Sequence, residues 1–223
     1  MTTDRDPPPA ASRSGRAVGR ARFGWAFEVV ETLVATLVIY FVIHNFVAQP
    51  FEVQMESMTP TIVGGEYVLI DKLTPRFDGY SYGDVIVFQP PERVGFEDEG
   101  IPFIKRIIGL PGDTVTLENG RVFLTGSDGL PIRIEERYVA RGSDGTIAPT
   151  LCPQPTCAGE WLVPDGSYFV MGDNRVNSVD SRVLGPIAED LILGRAWLRY
   201  FPLDRLGLIN DSGSVRALEP PDE

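Results

Sequence analysis

The sequence predicts an all-β domain of antiparallel sheets outside the cytoplasm, preceded by one transmembrane helix. Three observations predict it. A charge-free apolar run covers Thr32 to Phe51, short alternating apolar segments recur between Gly and Pro, and beyond the run no segment keeps a helical period over three turns. With 223 residues, 43% of them apolar, the chain suits one moderate domain plus an appendage.

Residues 1–22, with Pro7, Pro8, Pro9 and scattered Gly, Ser and Arg, read as a disordered cytoplasmic tail. Residues 23–49 follow as the anchor helix. Twenty residues at about 1.5 Å each cover about 30 Å, the thickness of the bilayer hydrocarbon. Leu33, Val34, Leu37, Val38, Ile39, Phe41, Val42, Ile43, Phe46 and Val47 make the run apolar on every face, which a core helix with one buried stripe is not. The run is also longer than the apolar part of a cleaved signal peptide and lacks a small-x-small ending. Arg13, Arg16, Arg20 and Arg22 precede it, whereas Glu52 and Glu56 are the only charges after it before Glu66. The positive-inside rule therefore places the amino terminus in the cytoplasm, giving a single-pass protein of the cell membrane with its domain outside. The lipid bilayer is the first expected partner.

The net charge is −11, and after Glu31 the chain holds 15 basic and 27 acidic residues. Nucleic acid is excluded as a partner, because phosphate binding needs a basic field. Residues 50–210 carry the expected strands: Phe51–Met55, Tyr67–Asp71, Asp84–Phe88, Phe103–Ile108, Thr114–Leu117, Arg121–Leu124, Tyr168–Met171 and Leu193–Tyr200. Asn119-Gly120 suits a type I′ hairpin turn. The Gly-, Pro-, Asp- and Ser-rich stretch at about 124–161 reads as a looped insertion, and residues 211–223 as a flexible tail. Cys152 and Cys157 lie where a disulfide is permitted. They read as a loop staple or as two free thiols, since the two prolines between them could help or prevent closure.

Two cysteines and one histidine, His44 inside the apolar run, cannot build a zinc cage, and no metal or cofactor is expected. The position of His44 also withholds imidazole from any serine outside the membrane. A nucleophilic serine then needs lysine or carboxylate as its base. Along Phe51 to Ser57 the odd positions form one apolar face ending in the Ser57 hydroxyl, and Pro60 then breaks the strand into a turn. In Phe103–Ile108, Lys105 shares its face with Phe103 and Ile107. Burial disfavours its ammonium, so its pKa should fall from about 10.4 toward neutrality, where the amine accepts a proton. Lys72, at a strand end after Asp71, reads as exposed.

Four tracts, Ser57-Met58-Thr59-Pro60-Thr61, Gly83–Phe88, Ile104–Asp113 and Met171–Arg182, resemble in that order the signature blocks of bacterial type I signal peptidases, and the resemblance runs from the anchor to about Asn210. It implies an all-β core with a smaller inserted β region, and a membrane-anchored Ser/Lys endopeptidase that removes signal peptides from exported preproteins. It implies Ser57 as nucleophile, Lys105 as general base, Ser178 as a hydroxyl orienting the lysine, Asp180 and Arg182 as an ion pair beside the site, and Asp173 and Asn174 as support. Preproteins are the implied substrates, met by a monomer near the export machinery. Two positions depart from the pattern. Met55 stands where many relatives carry an oxyanion-binding serine, leaving that task to backbone amides, and Val176 stands where an acid is common. Phe51, Val53, Ile86 and Phe88 are the expected pocket walls. The competing reading is a catalytically silent, anchored β domain that binds peptides or scaffolds export.

Overall fold

A computed structural model describes residues 19–91, 100–126, 129–142, 144–153, 159–209 and 215–218. The chain divides into two units, Met1–Val42 and Ile43–Glu223. The first contains α1 (Gly19–Val42), whose Phe27, Leu33, Leu37, Ile39 and Phe41 side chains are all exposed. The hydroxyls of Thr32 and Thr36 donate to the carbonyls of Glu28 and Thr32, each at 2.8 Å, so neither polar group is left unpaired on an apolar helix. Length and apolarity suffice to cross a membrane over Gly24–Val47.

The helix boundaries differ from those expected. α1 starts at Gly19, inside the stretch read as tail, and a π-helical turn over Ile43–Val47 hands the chain to β1 (Ala48–Glu52), so residues 48 and 49 are strand. Pro50 explains the early exit, because it lacks an N–H and pushes Gln49 toward extended backbone.

The second unit continues with β2 (Tyr67–Asp71), the short α2 (Pro75–Asp78), β3 (Val85–Phe88), β4 (Phe103–Gly109), β5 (Thr114–Glu118), β6 (Arg121–Thr125), β7 (Pro131–Glu136), β8 (Glu160–Leu162) and β9 (Ser167–Met171). After these come α3 (Ser181–Leu184), β10 (Ile187–Ala188), β11 (Ile192–Phe201), β12 (Gly207–Leu208) and β13 (Val215–Leu218). One sheet has the order β1-β2-β11-β3-β4-β9-β10, with β12 added on β11; the other has the order β13-β7-β6-β5-β8. Every pairing in both is antiparallel.

The second sheet begins at Thr114, ahead of the insertion read at about 124–161, because the β5–β6 hairpin belongs to it. That hairpin turns on Asn119 and Gly120, both with positive φ as a type I′ turn requires. Within the stretch read as looped, β7 pairs with β6 and β8 with β5. Val215–Leu218, in the stretch read as a flexible tail, pairs with β7 over four residues. Cys152 is disulfide-bonded, while Cys157 lies outside the described residues.

The segment before Ser57 shows why alternation and pairing are separate signals. Ladder pairing stops at Glu52, yet Val53 and Ser57 are buried while Gln54 and Glu56 are exposed. β3 and β4 are buried along their whole length. Val85, Val87 and Ile104 face a cluster with Val53, Met58 and Ile70, whereas Ile86, Phe88, Phe103 and Ile107 face one with Tyr168, Val170 and Ile187. Phe51 and Val53 belong to the first cluster and Ile86 and Phe88 to the second. The four therefore do not form one pocket wall, because successive residues of β3 point to opposite faces.

Candidate active site

Lys105 lies in the middle of β4, opposite Ile86 of β3, and its alternation partners Phe103 and Ile107 belong to the apolar cluster on that face. Its side chain is 1% exposed. The amine Nζ lies 2.7 Å from Ser57 Oγ and donates to the carbonyl of Ile104 at 2.9 Å. Burial lowers its pKa from 10.5 to about 8, outweighing the negative charges of Asp180 and Asp173, which pull the other way. Met55 packs against the same cluster. A side chain that cannot donate to an oxyanion thus adds apolar surface around the amine.

Ser57 is 5% exposed and opens a turn held from several directions. Its carbonyl accepts from the backbone N–H of Asn174 at 3.0 Å, and the Asn174 side-chain amide donates to the carbonyl of Glu56 at 3.3 Å. Thr61 Oγ1 donates to Asp173 Oδ2 at 2.5 Å, and Arg199 donates to the Thr61 carbonyl at 2.8 Å. Among the described residues the Ser57 N–H has no protein acceptor, which leaves it available to an incoming oxyanion.

Gly172 explains how the Met171–Arg182 tract comes so close. A Cβ there would lie 2.5 Å from the Ser57 carbonyl oxygen and would overlap the Ser178 side chain, so only a bare Cα fits. Asp180 collects the donors of this tract. Its Oδ2 accepts from the Gly172 N–H at 3.0 Å, Ser178 Oγ at 2.7 Å and Arg182 Nη2 at 2.8 Å, and its Oδ1 accepts from Arg182 Nε at 2.8 Å. These bonds hold its carboxyl below the usual range despite burial. Ser178 therefore gives its hydroxyl hydrogen to Asp180; it makes no hydrogen bond to Lys105, in contrast to the orienting contact expected of it. Arg182 also donates to the carbonyls of Leu151 and Arg175, each at 2.8 Å. Val176, where an acid was the common alternative, is 80% exposed.

Several residues of the site carry no local signal in the sequence. Arg106, on the face of β4 opposite Lys105, binds Asp173 with two parallel bonds of 2.8 and 2.7 Å, and neither side chain is exposed. Its Nη1 donates to the carbonyl of Gly83 at 2.8 Å, which ties in the Gly83–Phe88 tract. The Arg106 guanidinium lies 4.1 Å from the Tyr138 ring centroid and that of Arg175 lies 5.9 Å from it. Arg175 is ion-paired with Glu136 at the end of β7 and donates to Thr150. Arg106, Arg175 and Thr61 lie inside the resembling tracts, and that membership is the clue the sequence offers; Glu136, Tyr138 and Thr150 lie outside all four.

A family model described as signal peptidase, peptidase S26, matches residues 26–201. The chain belongs to this family. A probable signal peptidase I-1 of Synechocystis sp. is 38% identical over 197 residues, covering 86% of this chain and 92% of the relative. A signal peptidase I of Leptolyngbya laminosa is 35% identical over 182 residues, covering 81% and 82%. The crystal structure of a signal peptidase I from Enterococcus faecalis matches 52% of this chain and 95% of its own, at 28% identity and a TM-score of 0.39. The S26 family is one of serine endopeptidases, and the mostly β fold behind an apolar helix accords with the fold class read from the sequence.

Proposed function

We propose that this chain is a membrane-anchored endopeptidase that removes amino-terminal signal peptides from exported preproteins, with Ser57 as nucleophile and Lys105 as general base. The observation that carries the reading is the 2.7 Å separation of Nζ and Oγ in an apolar, enclosed setting. At that distance a neutral amine accepts the hydroxyl proton as Oγ attacks the scissile carbonyl. The Ser57 N–H donates to the developing oxyanion, and the lysine ammonium returns its proton to the departing amine. Water, deprotonated by the same lysine, then hydrolyses the ester. Asp180, Arg182, Asp173 and Asn174 hold the serine turn and the lysine strand together, and Ser178 acts through Asp180.

The anchor helix keeps the site near the outer membrane surface, with the amino terminus in the cytoplasm. A preprotein presents its cleavage segment there while its apolar part is still in lipid. The test is incubation of the detergent-solubilised protein with a labelled preprotein and sequencing of the new amino terminus. A single new terminus, absent with Ser57→Ala, is the expected result; an uncut preprotein, or equal cutting by Ser57→Ala, would defeat the proposal.

A further inference from the structure

The turn that follows β2 joins two features that the cleavage reaction does not use. The Lys72 N–H donates to the carbonyl of Val47 at 3.0 Å, so the turn is hydrogen-bonded to the last residue of the apolar span Gly24–Val47. Residues of this turn line two cavities. Leu73 and Thr74 contribute to a groove of about 440 Å³ with Val47, Ala48, Trp197 and Leu208, where the charges of Arg195 and Asp71 lie against each other. Lys72, Pro75 and Arg76 line a smaller cleft of about 180 Å³ with Tyr80 and Glu189.

The side chains along the turn differ in kind. Phe77 is 79% exposed, and Leu73 and Leu208 are exposed as well. Lys72 and Arg76 make no ion pair among the described residues, in a chain whose net charge is −11. Partial burial and the nearby Arg76 charge lower the Lys72 pKa, and Glu189, in the same cleft, makes no ion pair with either cation. Two unpaired cations beside exposed apolar side chains, bonded to the end of a span, are complementary to the interface of an anionic bilayer, where phosphates lie above acyl chains.

We propose that the turn Lys72–Phe77 is a headgroup site for an anionic phospholipid, with the phosphate taken between Lys72 and Arg76 and the acyl chains against Leu73, Leu208 and Phe77. The site rests on the reading of the apolar helix as a membrane anchor and is independent of the cleavage reaction. Glu189 opposes the phosphate from the cleft wall and sets the affinity below what two cations alone would give. Bound lipid fixes the exposed domain against the membrane at a second point beyond the anchor.

The test uses the full chain in detergent micelles titrated with phosphatidylglycerol or phosphatidylcholine, with retained lipid counted by native mass spectrometry. Alkaline extraction of membranes first establishes separately whether the helix anchors the chain. The expected result is one retained phosphatidylglycerol and a preference over phosphatidylcholine. Lys72→Gln with Arg76→Gln should lower the affinity about twenty-fivefold, at about fivefold per cation. Glu189→Gln should raise it, and Arg121→Gln with Arg141→Gln, which removes two exposed cations elsewhere, should leave it unchanged. Unfolding temperatures check that each variant is folded. Equal retention of the two lipids, equal loss from both double variants, or an anchored chain that holds no lipid would overturn the proposal.

Discussion

The backbone N–H of Asn174 donates to the carbonyl oxygen of Ser57 at 3.0 Å, joining two tracts far apart in the chain. Neither side chain makes this bond. It depends on the approach of two backbones, which the bare Cα of Gly172 permits. Gly172→Ala should therefore displace the serine turn and cost about a hundredfold in kcat, the scale of a misplacement of about 1 Å. Steady-state kinetics beside a melting curve check this; full activity in a folded variant would contradict it.

The proposed role of Lys105 as general base predicts a pH dependence. With a pKa of about 8, the neutral amine forms as pH rises, so cleavage should increase about tenfold per unit below that value and level off above it. Lys105→Arg should be inactive across the range, since guanidinium does not release its proton. A rate profile flat between pH 5 and 9, with chemistry limiting, would contradict the assignment.

The same residue has a cost for stability. The unfolded lysine keeps a pKa near 10.5 and the folded one about 8, so the folded protein carries a buried ammonium at neutral pH and sheds it as pH passes about 8. The penalty is then relieved between about 8 and 10.5, where only the unfolded chain still holds the proton. Lys105→Met removes the charge and should stabilise the protein by about 3 kcal/mol at pH 7, while abolishing cleavage. The gain should disappear toward pH 10.5. Urea denaturation at both pH values measures it.

Asp180 raises the Lys105 pKa through its charge, and Arg182 lowers it. Asp180→Asn removes the first and leaves the second unpaired, so the midpoint of the rate profile should move below that of the wild type while kcat falls. Ser178→Ala, which removes only a donor to Asp180, should move the midpoint less. A larger movement with Ser178→Ala would show that its hydroxyl acts on the amine directly.

Arg106 and Asp173 form a fully buried pair that also receives Thr61 from the serine turn. Asp173→Ala leaves the guanidinium without its anion and should cost about 3 to 5 kcal/mol, read from denaturant midpoints. Substitution of the exposed pair partner Arg137 should change stability by less than about 1 kcal/mol.

Alternation and turn punctuation made much of this legible. Tyr67–Asp71 is the strand as read, and the face shared by Phe103, Lys105 and Ile107 is the apolar face found. The burial pattern through Ser57 survives even where the ladder has ended, because it reflects which side faces the core. The boundary of the second sheet was not legible, since the β5–β6 hairpin looks like any other hairpin until its neighbours are known. Val215–Leu218 was hidden by a polar neighbourhood, and strand pairing there does not require apolar residues. Tyr138, Arg175, Glu136 and Thr61 escaped for a common reason: each acts through a partner that local spacing does not bring near.

The walls on both faces of β4 also give the molecule a chemical gauge. Of its two lysines, Lys72 stands in an open cleft and Lys105 is enclosed. An amine-seeking acylating reagent should then mark one of them readily in the native protein and both in the unfolded chain, so a count of labels reports how often the sheet opens.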